Sequence, residues 1–165
     1  MKKFLFLMSA AALLFTTSCL SGSNPGSSSA NYNGILTVTD LQSGAVSYSD
    51  NNCSIMVSIP NILEPIFDFR FKGIKFDNAM PKLNIDIDGI PFTTTISEDE
   101  TSINYLFEAK DIIPTAGGIK YESFKVGEIK GCIGKEVEIT FTMPSKNKKA
   151  HFKTVSNNAT EAIEE

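Results

Sequence analysis

Four groups of residues in this chain could do chemistry: the thiols Cys19, Cys53 and Cys132, the acidic runs "NIDIDG" and "SEDET", and the single imidazole of His151. Asn84, Asp86, Asp88 and Gly89 match the first half of an EF-hand loop, where alternate oxygen ligands meet a hard cation and glycine permits the turn. The second half does not follow: Thr95 stands where a bidentate glutamate is needed. Ile85 and Ile87 alternate with the acids as in a strand, which sets Asn84, Asp86 and Asp88 in a row about 7 Å apart on one face. We read the motif as a carboxylate row on an outer wall that runs into a turn, and assign no metal site. Glu98, Asp99 and Glu100 read as a solvated hairpin tip, with weak surface calcium binding as the alternative. His151 sits in a lysine-rich segment, where a surface imidazole repelled by cations is expected. A nucleophile triad would need that histidine as its base, and no Gly-x-Ser-x-Gly elbow, phosphate-cradling loop or His-rich metal signature accompanies it. Paired carboxylates alone can hydrolyse glycosides. Yet no pair stands out among 19 acids, and the chain has no Trp to stack on a sugar. The expectation is a non-enzymatic protein without a cofactor.

The thiols are more informative. Lys2 and Lys3 precede the apolar run "FLFLMSAAALLF" (residues 4–15), then small residues lead to Cys19. That order is the form of a secretory signal, and the run is shorter than the roughly 20 residues a membrane span requires. "FTTSC" resembles a bacterial lipobox, with Thr16 where that pattern favours leucine. The resemblance implies cleavage after residue 18 and lipid attachment at Cys19; simple secretion with a free N-terminal thiol is the alternative. "LSGSNPGSSSAN" after Cys19 has almost nothing to bury and reads as a flexible tether. Cys53 and Cys132 remain. In an oxidising compartment they could pair, closing a loop worth ~4.5 kcal/mol in the chain-entropy model; equally, they could be unpaired thiols that pack as small apolar groups.

The elements that must position these groups follow from the rest of the sequence. Removing residues 1–18 takes two lysines from the 15 basic side chains and leaves the 19 acidic ones, a balance of about −6. Such a chain lacks the basic stripe a nucleic-acid partner needs. The lysines of "KNKKAHFK" read as a solvated face or an edge-strand guard. The dominant period is two. "FDFRFK" sets Phe67, Phe69 and Phe71 opposite Asp68, Arg70 and Lys72; "KLNIDID", "EVEITFTM" and "CSIMVSI" alternate in the same way. One apolar and one wet face mark antiparallel strands. With weaker segments near Leu36, Thr94, Tyr105, Phe124 and Phe152, the count reaches about eight to ten. Turn signals fall at Ser43-Gly44, Asp50-Asn51-Asn52, Asp77-Asn78, Asp88-Gly89, Gly117-Gly118 and Gly134. This is an all-β chain, a sandwich or a barrel, with at most a short helical turn near residues 61–65 or 110–114. The expected organisation is a signal peptide (1–18), a lipidated cysteine and linker (19–31), one β domain (32–155) and a frayed tail (156–165).

"FRFKGIKFDNAMPKLNIDIDGIPF" (residues 69–92) resembles the middle of the calycin-like domain of envelope lipoproteins from Gram-negative gut bacteria. Met80-Pro81 and Ile90-Pro91 occupy the family's turn and strand exit. "YNGILTVT" (residues 32–39) is similar to its opening strand, and "YESFKVGEIKGCIGKEVEITFTM" (residues 121–143) to its later strands. The resemblance implies a small antiparallel calycin/lipocalin-like barrel. True lipocalins carry Gly-x-Trp near the first strand; with no Trp here, a lipocalin pocket is not assumed.

Phe67, Phe69, Phe71, Phe107, Phe124 and Phe141 read as one inward set. In a barrel of about eight strands such side chains fill the interior or leave room for one small apolar ligand; in the second case they and Met143 would line the cavity. The leading expectation is a barrel anchored to the membrane through lipid that holds a small apolar ligand or an envelope protein. The alternative is an interaction module with a filled core. Leu20 after Cys19 lacks the aspartate associated with inner-membrane retention, and "SGSNPG" lacks an acidic run for surface display. The expected address is the outer membrane, facing the periplasm.

Overall fold

The structure, a computed structural model, describes residues 27–96 and 102–155. The leader, Cys19, the acids at 98–100 and the tail from 156 onward lie outside the described residues. Alternation in the sequence becomes alternation in burial: β3 (Ile66–Ile74) buries Phe67, Phe69 and Phe71, and β9 (Val137–Met143) buries Val137, Ile139, Phe141 and Met143. Burying every second side chain on one face forces that face against another layer, and here the sheet meets that demand by closing on itself. β1 (Ser28–Asp40), β2 (Val46–Ile59), β3, β4 (Leu83–Ile96), β5 (Ile103–Ile112), β8 (Val126–Ile133), β9 and β10 (Lys148–Thr154) follow one another around a closed antiparallel wall, with β10 returning to β1. Between β5 and β8 the chain adds a small hairpin, β6 (Thr115–Ala116) and β7 (Ile119–Lys120). The fold is therefore an all-β, eight-stranded antiparallel barrel with two extra strands, compatible with a calycin-like fold.

The inside is apolar and the outside charged. Among the described residues no charged side chain is buried, and the polar atoms of Tyr105 and Cys53 are carried inward on otherwise apolar side chains. The outer wall carries ion pairs such as Arg70–Asp86 (2.6 Å), Lys130–Glu128 (3.1 Å) and Lys153–Glu136 (3.1 Å). A barrel that crosses a membrane has the opposite arrangement, an apolar band toward lipid and a polar lumen, so this wall is built to face water.

Several local expectations are corrected. Asp88-Gly89 does not reverse the chain; β4 continues through it. Gly89 takes φ +77° at an irregularity between the Phe69–Ile87 and Phe67–Ile90 pairs, a bulge that glycine admits because it has no Cβ. Asp50-Asn51-Asn52 likewise lies within β2, where the register with β1 slips between Gly34 and Leu36. β1 starts at Ser28 rather than near Tyr32: Ser28–Asn31 have no apolar alternation to announce a strand, but their backbone pairs with β2 from Ile59 to Met56. Near Phe124 the chain forms a 3-10 turn, Glu122–Phe124, rather than a strand, and a second one spans Pro144–Lys146. The lysines of β10 guard no edge, since β10 is paired on both sides.

β4 and β5 part company along their length. They pair only from Phe92–Phe107 to Ile96–Ile103. The Phe92 N–H donates to the Pro65 carbonyl on the β3 side (2.9 Å), so position 91 is the one that would donate toward β5. Proline has no N–H to give. Beyond this fork β6 takes the place beside β4, pairing Thr115 with Asp86.

Candidate functional site

Phe67, Phe69, Phe71, Phe107, Phe124, Phe141 and Met143, the expected cavity-lining set, are all buried in one core. Their packing against one another bears on the two readings of the interior. Phe71 on β3 and Phe141 on β9 hang from walls four strands apart, and their rings meet at 5.2 Å between centroids. Phe69 on β3 meets Phe107 on β5 at 4.9 Å, and Phe107 also meets Phe67 edge-on at 6.1 Å. Small residues make room for these rings. Gly131 lies between Phe107 and Ile139 in the register, and Ala150 lies beside Phe141. A Cβ at Gly131 would strike the Glu138 carbonyl and come within 2.7 Å of the Phe107 ring. Large and small residues thus interlock across the bore, as in small filled barrels.

Phe124 plays a different part from the rest of the set. It projects from the 3-10 turn, not a strand, and with Phe76 (5.5 Å) and Tyr121 (5.8 Å) it plugs the end of the barrel where β1 finishes, the Asp40 end. Lys146 Nζ sits 4.9 Å above the Phe124 ring, a cation–π contact on the solvent side. Phe76 was not singled out in the sequence because it lies outside any strand and carries no period.

At the opposite, Ser28 end, sequence reading missed Tyr32 and Tyr105. The Tyr105 ring contacts Phe67 (5.9 Å) and Phe92 (5.5 Å), is 4 % exposed, and its hydroxyl finds no hydrogen-bond partner among the described residues. Burial raises the pKa of both phenols, and the nearness of Tyr105 adds to the shift of Tyr32.

The two remaining thiols are free. Cys53 points inward from β2 and is buried; Cys132 is half-buried on β8, in register with the exposed Leu106 and Glu138 of the outer wall. β2 and β8 are four strands apart around the barrel. One sulfur is inside and the other outside opposite walls, so the possible Cys53–Cys132 disulfide would require the sheet to open. Burial, reinforced by Asp50, pushes the Cys53 thiol up to about 12; burial and Glu138 raise Cys132.

Two members of the acidic row, Asn84 and Asp86, are engaged by their neighbours. Asn84 Oδ1 accepts from the Gly73 N–H (2.8 Å), Asp86 pairs with Arg70, and the Gly89 N–H donates to Asp68 (2.8 Å). Asp88 has its pKa raised by burial, then by Asp68 and Asp86. His151 does not stand alone among lysines: its Nε2 lies 2.8 Å from Glu138 Oε1, on the outer wall between Thr37 and Thr140. These residues line an open depression of about 450 Å³. A second depression, of about 380 Å³, lies at the β4–β5 fork between Pro91, Phe92 and Thr93 on one strand and Leu106, Phe107 and Glu108 on the other. Comparison with family models, with curated proteins and with solved structures returned no match to this chain.

Proposed function

We propose that this protein is a non-enzymatic envelope lipoprotein, akin to the calycin-like lipoproteins of Gram-negative gut bacteria, whose barrel is a protein-interaction module with a filled core. The contact between Phe71 and Phe141 across the full width of the barrel carries the reading: rings that meet in the bore occupy the space a ligand would need. Binding is then work for the outside, and the β4–β5 fork offers an envelope protein apolar surface beside a charged wall. The absence of catalysis is supported by chemistry. His151 and Glu138 lie on an exposed wall, and both thiols are held in the unreactive protonated form. The address rests on the sequence: a signal-like leader and the lipobox-like "FTTSC" imply a lipid at Cys19, with outer-membrane anchorage facing the periplasm.

A second reading keeps a small apolar ligand. It rests on Tyr105, whose buried hydroxyl would be satisfied by a ligand carbonyl or ether entering at the Ser28 end. Native mass spectrometry of the protein extracted from its own envelope separates the two. The filled-core reading expects the chain from Cys19 onward plus covalent lipid and nothing else. A stoichiometric small molecule released on denaturation would overturn it in favour of the second reading.

A further inference from the structure

We infer that the Ser28 end of the barrel lies on the bilayer surface, with Ile62 and Leu63 of the β2–β3 turn seated among the lipid headgroups and upper acyl chains. The inference deepens the proposed function and rests on its lipid anchor at Cys19. Residues 60–65 form an ordered turn that presents these two side chains outward. Asn61 Oδ1 accepts from the Leu63 N–H (3.1 Å), Asn61 Nδ2 donates to Glu64 (3.2 Å), and the Glu64 N–H returns to the Asn61 carbonyl (3.0 Å). Such a turn fixes the backbone and leaves Ile62 59 % and Leu63 80 % exposed. Burying a leucine or isoleucine side chain is favourable in proportion to the apolar area removed from water, so holding two of them in water at a structured tip is a standing cost.

Where the chain leaves the barrel says what covers them. β1 starts and β2 ends at the same end, since Ser28 pairs with Ile59. The segment from Cys19 to Ser28 is nine residue steps, at most about 30 Å when extended. A lipid at Cys19 therefore keeps Ile62 and Leu63 within reach of the bilayer throughout, making contact with it an intramolecular event. The Asp40 end lies at the other end of β1, thirteen residues or roughly 40 Å of strand from end to end. Ile96 and Val155, both more than half exposed, lie at the Ser28 end as well. Charges nearby are mixed, with Lys153 paired to Glu136 at 3.1 Å and Glu64 beside the two apolar side chains in the turn itself. A zwitterionic lipid surface fits best.

The absence of Trp makes the test direct, because one introduced Trp is the sole indole probe. Leu63→Trp and Ile119→Trp, the second at a 68 % exposed position on the β7 hairpin, are made in the full chain and reconstituted with phosphatidylcholine vesicles. Flotation reports attachment, and lipids brominated high on the acyl chains report depth. The inference expects Leu63→Trp to shift to the blue and to lose about half its emission or more, as insertion of ~5–10 Å requires, while Ile119→Trp stays unchanged. Chain that floats with an unshifted Leu63→Trp overturns the seating but spares the anchor. Chain that fails to float overturns the anchor; a Leu63→Trp shift on mixing with vesicles would still support the seating, and no shift would sink both. A shift that appears with native envelope extract but not with pure lipid assigns the surface to a protein and overturns the inference.

Discussion

Phe71 and Phe141 are the pair on which the barrel turns: one hangs from β3, the other from β9 on the far wall, and their rings lie 5.2 Å apart with planes inclined at 57°. Each wall thereby becomes the packing surface of the other. Phe76 extends the contact toward the Asp40 end, its ring 6.1 Å from that of Phe141. Deleting either ring removes buried area and leaves a void that the closed sheet cannot collapse to fill. Phe141→Ala is expected to cost ~3–5 kcal/mol, measured as the shift in urea midpoint at constant slope. A loss below about 1 kcal/mol would mean that the ring borders space already empty.

Gly131 makes the complementary prediction. Its missing side chain is the seat of the Phe107 ring and of the Glu138 carbonyl. Gly131→Ala should destabilise by roughly 1–3 kcal/mol through overpacking, although alanine suits a strand no worse than glycine. Phe107→Leu in the same chain should recover part of that loss, because it shortens the side chain that collides. No recovery in the double variant would show that the Glu138 backbone, not the ring, sets the limit.

Tyr105 separates the filled barrel from one that holds a polar guest. A buried hydroxyl without a partner carries its desolvation cost uncompensated. Tyr105→Phe should therefore raise stability by about 1 kcal/mol, read from thermal or urea unfolding. A destabilised variant would reveal that water or a ligand satisfies that oxygen.

The thiols give a prediction in pH. Cys53 has an ordinary value of 9.0 raised to about 12 by burial. Between those values the folded chain keeps a proton that the unfolded chain releases. Stability is then intact below about pH 9 and falls as pH rises toward 12. Tyr32, Tyr48 and Tyr105, all raised, act in the same direction above 10.0. At pH 8 a thiol-specific disulfide reagent followed by peptide mass analysis should leave Cys53 unmodified in the folded protein and modify it in urea. Modification at equal rates in both conditions would contradict the buried placement, and a Cys53–Cys132 linked peptide would contradict the barrel.

Much of the fold was legible because inside and outside differ so sharply in chemistry. Phe67, Phe69 and Phe71 alternate with Asp68, Arg70 and Lys72, and such a segment has one stable orientation in any closed sheet. The irregular positions were less legible. Gly89 and Asp50 to Asn52 carry the same residue types whether a chain reverses or bulges, and only the register with β3 and β1 tells the two apart. The fork at Pro91 depends on which side of β4 that nitrogen faces, which sequence does not state. Cys53 and Cys132 show the limit most plainly. Alternation placed Cys53 inward, and Cys132 shares its parity with Glu128 and Lys130, but nothing local encodes that Cys132 lies on the opposite wall. Tyr105 was overlooked because its strand reads as merely aromatic; that its hydroxyl has no partner among the described residues emerges only from what surrounds it.

Whether the bore is solid can be measured most directly by pressurising crystals with xenon, which enters dry apolar cavities and leaves packed cores empty. The filled barrel predicts no xenon between Phe71 and Phe141 in the wild-type protein and one ordered site there in Phe141→Ala. Xenon bound at that position in the wild type would contradict it and return the interior to a ligand.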